Sequence, residues 1–542
     1  MDRTRKLLFL PVFAFLLCFF LLVARHRFID PDEGYYLMAS RLVLQHKLPY
    51  LDFFYQQAPL LPYAYGLWMK LFGISWFSAR SFSATLSAIL GLLIYDHVCH
   101  QTRRWLAGLA AVVLYVSSSF VFAWFPLVKT YSLATLFLFG AYVVVTRLLP
   151  ASSPWLAAVS GVLFGLSVDT RSYIVVCAPL FLWWVFRHSE TGDGIARILW
   201  FLGGFTIGIG PSLCFFVASP DRFLFNNFGY HVIRTDAGLV GAWSQKLLAA
   251  RIFLFSANYN GIQFCLLAAV CLASIFALPI RRGAAALAFL MASAVSFASI
   301  FVLRIRRDAA LLAFLIAVVL AFISILPTPL LVQYFCICMP FLIVAAVCAA
   351  SDYITSLRAA GTTQRVAVLA GIALLATFVA SSVPNFRSYL ITGEHVIGML
   401  GTDDAPNWTL DEVSAVSKAI DQLAAPKERI ASFWPGYIFA SQADPYPGFE
   451  NDFGRMISRK LTVDQRTKYH IIAESDIEAD FAAHTPRIAV LGNRIMFGPQ
   501  RIRDVCDNPY DISACATMLL SHGYTVVRTI GDTSIFVSSS RP

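Results

Sequence analysis

The sequence predicts a mainly α-helical, polytopic membrane bundle of about 11–13 spans with a soluble α/β domain at its C-terminal end. Three observations predict it. The chain is 58% hydrophobic and only 14% charged, with a mean hydropathy of +0.67, where soluble proteins carry about 25% charged residues. Its charge is also divided. Residues 1–383 hold 27 Lys and Arg against 13 Asp and Glu, whereas residues 384–542 hold 15 against 19. Finally, long apolar runs fill the first part and stop near Val383. These features set boundaries at 1–383 for a transmembrane domain and 384–542 for a soluble one. The basic surplus belongs to membrane loops, where Lys and Arg set topology. No basic stripe lies on the soluble part, so a nucleic-acid partner is not expected.

The elements follow in order. MDRTRK precedes an apolar run from Leu7 to Val23. The run is of span length, and no small-residue cleavage site follows it before Arg25–Arg27, so it reads as an uncleaved first span with its N-terminus inside. Residues 25–80 then form a first external loop. Within it, Glu33 to His46 carries Tyr36, Ala39, Leu42 and Val43 at helical spacing, and Leu60 to Phe72 is apolar and aromatic. Both are too short to span and suit helices lying in the interface. Further spans are predicted at 81–99, 105–124, 127–147, 155–168, 172–186, 196–218, 259–280, 284–303, 309–326, 333–350 and 366–383. Arg281–Arg282 and Arg304–Arg307 flank a single apolar segment, which conflicts with simple alternation and favours an odd number of spans. Residues 219–258 form a second long external loop. In the tail, Leu410 to Leu423 reads as a helix with Thr409 as N-cap and Glu412 at the capping-box position. ERIASFW, RIAVLG, YTVVRTI and TSIFVSS read as strands. No dinucleotide fingerprint or P-loop is present.

Four of the 13 acids in residues 1–383 lie in the first external loop: Asp30, Asp32, Glu33 and Asp52. Carboxylates are costly beside lipid and mark functional sites. Moving a sugar off a lipid phosphate needs a base for the acceptor and a cation for the leaving phosphate. Asp32 fits the base, with Glu33 and Asp30 as neighbours; the plain alternative is that one of them caps the helix starting at Glu33. Lys129 and Arg171 are the cation candidates, because each lies between apolar segments near the external side. For Arg171 the structural alternative is an ion pair with Asp169. Arg222, His231 and Arg234 are further candidates in the second loop. Asp52, Tyr55 and Gln57, and Gln333 with Tyr334 after a Pro-rich turn, are the candidates for substrate contact. The ten His show no metal-ligand spacing, so no metal site is assigned, although Asp30 and Asp32 are of the type that holds a divalent ion. Nine of the 11 Cys sit in apolar segments; Cys506 and Cys515 alone lie in the tail. Outside a reducing cytosol these two are a candidate disulfide, and otherwise two thiols.

The stretch PDEGYYLMASRLVLQHKLPYLDFFYQQAPLLPYAYGLWMKLFG resembles the GT-C glycosyltransferases. It is most similar to the branch of protein O-mannosyltransferases, the lipid A aminoarabinose transferase and the rhizobial lipopolysaccharide transferases. The matching features are Asp32-Glu33, then Pro49-Tyr50-Leu51-Asp52, then Pro59-Leu60, then Phe72-Gly73. The resemblance implies a polyprenyl-phosphate-linked sugar donor, an inverting transfer, Asp32 as general base and no cofactor. It implies a glycan, lipid or protein acceptor in the cell envelope, and a site, with the C-terminal domain, on the periplasmic side of a bacterial inner membrane. Two departures stand out. Relatives have a phosphate-binding Lys where Gln57 stands, and an Asp at the start of the fourth span where Pro126-Leu127-Val128-Lys129-Thr130-Tyr131 has none. The competing classes are a transporter or flippase and a polymerase for a lipid-linked glycan. A transporter would show inverted repeats, and none is visible.

Overall fold

The computed structural model describes residues 2–148, 154–187, 193–234, 238–255, 261–277, 309–357, 362–394, 396, 402–492 and 512–539. The predicted 284–303 segment, with its flanking arginines, falls outside the described residues, as does Cys506. Five described helices are long and apolar enough to cross a membrane: Thr4–His26, Trp76–Thr102, Thr130–Arg147, Val332–Ser356 and Thr362–Thr392. A sixth candidate is the pair Gly194–Gly208 and Gly210–Ala218, bent by 61° at Ile209. Shorter apolar helices include Trp105–Ser117, Trp155–Thr170, Ser172–Arg187 and Ala309–Ile325. The predicted 105–124 span therefore breaks. At Ser118 the backbone turns extended, and Gln263 repairs the break: its Oε1 accepts the Ser119 N–H at 2.9 Å and its Nε2 donates to the Ser117 carbonyl at 3.1 Å.

The tightest helix pair joins Trp155–Thr170 to Gly194–Gly208 through glycines spaced four apart on each, Gly161 with Gly165 and Gly204 with Gly208. A Cβ on Gly204 would stand 2.0 Å from the Ala158 carbonyl oxygen, and one on Gly161 2.1 Å from that of Phe201. Only hydrogen fits, and the backbones gain the close packing that drives association in lipid. At the end of this pair, Asp169 Oδ1 accepts the Ser212 N–H at 3.0 Å and secures the bend.

The first external loop holds the two helices the sequence predicts, Glu33–Leu44 and Leu60–Phe72. The second exposes Tyr63, Leu67, Leu71 and Phe72, as a lipid-facing helix does. The first does not lie open in the interface. Residues Glu33 to Leu42 are all buried, because the C-terminal domain covers the face left polar by the pattern. Arg41 donates to the carbonyls of Ile438 and Ala443 at 2.8 and 2.7 Å and pairs with Asp444 at 3.1 Å. The Trp434 indole donates to the Pro31 carbonyl at 2.8 Å.

That C-terminal part is α/β. Strands β1 (Arg429–Ser432), β2 (Asp444–Pro445), β3 (Ile488–Leu491), β4 (Tyr524–Ile530) and β5 (Thr533–Ser538) form one sheet in the order β2-β1-β3-β5-β4. β1 is parallel to β2 and β3, and β5 is antiparallel to β3 and β4. The two-residue β2 had no sequence signal. Thr409 caps Leu410–Leu423 as predicted, accepting the Glu412 N–H at 3.3 Å. Cys515 is buried on the helix Ile512–Ser521.

The glycine packing makes a direct prediction. Gly204→Leu forces the two backbones apart and should destabilise the protein by about 1–3 kcal/mol or more, seen as a lower Tm and loss of the monodisperse species in detergent. Gly203→Leu, whose added carbon meets nothing within 4 Å, should leave both unchanged.

Candidate active site

The acidic cluster is built where the first span ends. Arg27 follows the helix Asp2–His26, and the chain then turns through Phe28 to Pro31. Asp32 is the first residue before Glu33–Leu44, yet its side chain makes no capping bond to that helix. It points instead to Lys129, which stands just before the helix Thr130–Val143. Lys129 Nζ lies 2.7 Å from Asp30 Oδ1 and 2.8 Å from Asp32 Oδ2. Asp30 Oδ1 also accepts the Asp32 N–H at 3.0 Å. The ammonium thus fills the space between the two carboxylates. Burial alone would lower the Lys129 pKa, but Asp30 and Asp32 together raise it above the ordinary lysine value. Burial pushes Asp32 up, against the pull of Lys129.

Glu33 faces away from these groups. Its Oε1 and Oε2 accept from Arg80 Nε at 2.8 Å and Nη2 at 2.6 Å, with both side chains fully buried. It also accepts the backbone N–H of Val128 and of Asp30, each at 3.0 Å. Arg80 spends its remaining donors on the Ala24 and Arg27 carbonyls. Glu33 therefore ties the end of the first span to the segment that carries Lys129. Sequence reasoning did not single out Arg80, which closes the predicted first loop and in the structure lies inside the helix Trp76–Thr102.

Asp32 and Lys129 open onto a cavity of about 870 Å³. Arg171 is on the same wall. Its Nη1 donates to Thr130 Oγ1 at 2.6 Å, its buried Nε has no hydrogen-bond partner among the described residues, and its guanidinium stacks on Tyr131 and Tyr173 at 4.6 and 4.7 Å and on Tyr334 at 5.3 Å. The alternative pairing with Asp169 is not formed, since Asp169 turns to Ser212. Gln57, Tyr334, His231 and Arg234 also line the cavity. Four other sequence candidates, Asp52, Tyr55, Gln333 and Arg222, do not. Asp52 accepts the Leu48 N–H at 2.6 Å in a local turn. Tyr55 is buried behind the wall, 6.4 and 6.5 Å from the rings of Tyr35 and Tyr36. Gln333 is buried in the turn Val332–Cys338. Arg222 donates to the Leu51 carbonyl at 2.9 Å and serves the loop packing.

Sequence reasoning missed several lining residues: Tyr35, Tyr36, Gln56, Tyr131, Tyr173 and Phe453. Tyr131 and Tyr173 follow Lys129 and Arg171 by two residues, which is the signal that could have found them. Phe453 and Met456 come from the C-terminal domain and carried no signal at all. One side of the cavity carries the apolar residues Phe205, Ile209, Leu213, Phe216, Phe228 and Leu326, and Phe216, Phe228 and Leu326 are exposed on the surface. Among the described residues no three His, Cys, Asp or Glu gather to hold a metal ion.

Comparison with known proteins bears on this arrangement. Residues 56–212, which include Lys129 and Arg171 but begin after Asp32, match the family described as dolichyl-phosphate-mannose-protein mannosyltransferase. The fold matches ArnT from Cupriavidus metallidurans in two crystal structures. For the one bound to undecaprenyl phosphate the TM-score is 0.57 at 14% identity, over 99% of each chain. For the apo form it is 0.57 at 15%, over 100% of each. The chain thus shares the ArnT fold over its whole length. No curated protein matches the sequence. Helical bundle and C-terminal sheet fall within one continuous likeness, and five described helices are long and apolar enough to cross a membrane.

The Glu33–Arg80 pair makes a prediction distinct from any chemical role. Breaking a fully buried ion pair leaves a bare charge and costs about 3–5 kcal/mol. Arg80→Leu and Glu33→Leu should each collapse the yield of folded protein in detergent. Glu33→Leu combined with Arg80→Leu should recover part of it, measured by size exclusion and thermal unfolding.

Proposed function

We propose that this protein is a glycosyltransferase that moves a sugar from a polyprenyl-phosphate donor to an acceptor in the cell envelope. The observation that carries the reading is one cavity holding Asp32, Lys129 and Arg171 on a polar wall and an apolar wall that reaches the lipid-facing surface. The apolar side suits a polyprenyl chain. Arg171 lines the cavity and offers a planar fork suited to a phosphate. Lys129 has three N–H donors and spends two on carboxylates. The known match to a protein whose structure holds undecaprenyl phosphate supports the same donor class.

The chemistry follows from the groups present. An acceptor hydroxyl, of a glycan, lipid or protein, gives its proton to the Asp32 carboxylate as its oxygen bonds to the sugar's anomeric carbon. The bond from that carbon to the phosphate oxygen breaks, and the pair of electrons leaves on the phosphate. Arg171 and Lys129 neutralise the charge that develops there. Attack opposite a departing phosphate inverts the anomeric centre. The acidic loop and the C-terminal domain that closes over it lie together on the non-cytoplasmic side, the periplasm of a bacterial inner membrane.

Asp32→Asn should abolish transfer from a polyprenyl-phosphate sugar while the protein stays folded, and full activity in that variant would sink the assignment. In the wild type, kcat/KM should fall as pH drops through the raised Asp32 pKa. Because Lys129 pulls that pKa down, Lys129→Met should move the acid limb to higher pH. A limb that stays in place would remove Asp32 as the titrating group. Arg171→Ala should raise the KM for donor about tenfold or more, a loss of ~1.4 kcal/mol per decade. Arg171→Lys should not rescue it, because a lysine cannot make the planar fork; unchanged donor KM would make Arg171 structural.

A further inference from the structure

Among the described residues, the C-terminal domain reaches the cavity through one short segment. Asn451 caps the helix Asp452–Met456, its Oδ1 accepting the Phe453 N–H at 3.1 Å. Phe453 and Met456 then line the cavity. The segment is seated on the first loop. The Phe453 ring meets Tyr35 edge-on, 5.1 Å between centroids, and a Cβ on Gly454 would stand 3.1 Å from the Phe54 ring. Asn451 is itself buried, and it makes a polar contact to Gln56 of that loop.

That contact fixes which end of the Gln56 amide is used within the protein. The Phe453 N–H can only donate and the Phe54 carbonyl can only accept, so Asn451 is oriented at both ends. Its Oδ1 takes the first, and its Nδ2 gives to the second at 3.3 Å. The same Nδ2 donates to Gln56 Oε1 at 2.6 Å. Oε1 is thereby spent, and among the described residues the Gln56 –NH2 has no partner. Gln56 is only 2% exposed, and it lines the cavity with Asp32 and Tyr36. Its backbone is held as well, the carbonyl accepting from His231 Nε2 at 3.2 Å. A donor left bare at such a site is costly, and a ligand in the cavity can satisfy it.

We infer that Gln56 donates through its –NH2 to an oxygen of the donor's sugar, and that Asn451 is a positioning residue that acts through Gln56. This rests on the proposed lipid-phosphate sugar donor. With the phosphate at Lys129 and Arg171 and the acceptor hydroxyl at Asp32, the sugar lies beside Asp32, because its anomeric carbon is bonded to the one and attacked by the other. Tyr36, Gln56 and Phe453 share the cavity with Asp32. Ring faces suit the C–H faces of a sugar, and sugar oxygens accept an amide N–H. The C-terminal domain then shapes the sugar site twice, directly through Phe453 and at one remove through Asn451. The competing account is that Asn451 serves only as the cap of Asp452–Met456.

The test is binding to the full-length protein in lipid nanodiscs with no acceptor present. The probes are undecaprenyl phosphate alone and linked to glucose, galactose, mannose, glucosamine or glucuronic acid. The quantity read is the Kd of bare undecaprenyl phosphate divided by that of the tightest sugar-linked form. Asn451→Ser keeps a capping oxygen for the Phe453 N–H and is too short to reach Gln56. It should lower the ratio about three- to tenfold, the worth of one hydrogen bond. Gln56→Met, close in shape, should lower it by the same factor. The two together should lower it no further, because one acts through the other. An unchanged ratio in Asn451→Ser, or losses that multiply in the double variant, overturns the positioning role of Asn451. An unchanged ratio in Gln56→Met overturns the whole inference, and this variant decides alone where Asn451→Ser does not fold. A wild-type ratio of one or less also overturns the inference and leaves the proposed transfer standing. Failure of every undecaprenyl probe to bind overturns the proposed donor class itself, and the inference with it.

Discussion

The whole structure depends on where one lysine ammonium can go. Lys129 stands at the mouth of a span, buried, with two carboxylates within 2.8 Å. An unpaired ammonium or carboxylate at that depth would lose its hydration with nothing in exchange. The pair is tolerable only if the end of the first span and the start of the helix Thr130–Val143 converge. The Glu33–Arg80 pair enforces this from behind, since Glu33 also takes the Val128 N–H, one residue before Lys129. Adjacent residues therefore face opposite duties. Glu33 holds the backbone and Asp32 meets the cavity.

The C-terminal domain is part of the same construction. Gly34 lies under the Trp434 indole, where an added carbon would stand 2.6 Å from the ring, and Trp434 donates to Pro31, immediately before Asp32. Trp434 in turn stacks on Trp76, 5.6 Å between centroids, at the start of the helix that carries Arg80. The domain thus clamps the loop from above while the ion pair fixes it from below. It also adds Phe453 and Met456 to the cavity lining, and its Tyr469 lies flat on Phe225 of the second loop, with rings 3.7 Å apart. A side chain on a loop needs such support to hold its geometry at a site.

The sequence made part of this legible, and the reason is physical. Charges are scarce in apolar surroundings, so Asp32, Lys129 and Arg171 stood out one by one, and the structure brings them to one cavity. Helix Glu33–Leu44 and the four longer strands were readable because period and capping are local. What could not be read was pairing between distant segments. Nothing around Arg80 names Glu33 as its partner, and nothing around Asn451 names Gln56. Asp52 and Tyr55 misled for a related reason: they share a short loop with Asp32, but a left-handed residue at Tyr50, with φ of 68°, turns that loop back on itself. Asp52 then satisfies the Leu48 N–H and not the cavity.

The absence of a cation at Gln57 now has a different meaning. In the sequence it read as a missing phosphate ligand. In the structure Gln57 and Lys129 line the same cavity, so a positive charge is present on the wall opposite in sequence. The move has a consequence for the base. A lysine at 57 would leave Asp32 to be stabilised by other means, whereas Lys129 touches Asp32 directly and keeps it from rising further. Its remaining N–H is left for whatever enters the cavity. On the proposed reading, one ammonium group faces both the carboxylate that takes the proton and the phosphate that leaves, so any anion drawing it away weakens its hold on Asp32. A lost hold makes Asp32 more basic. On that reading donor and base are coupled through Lys129.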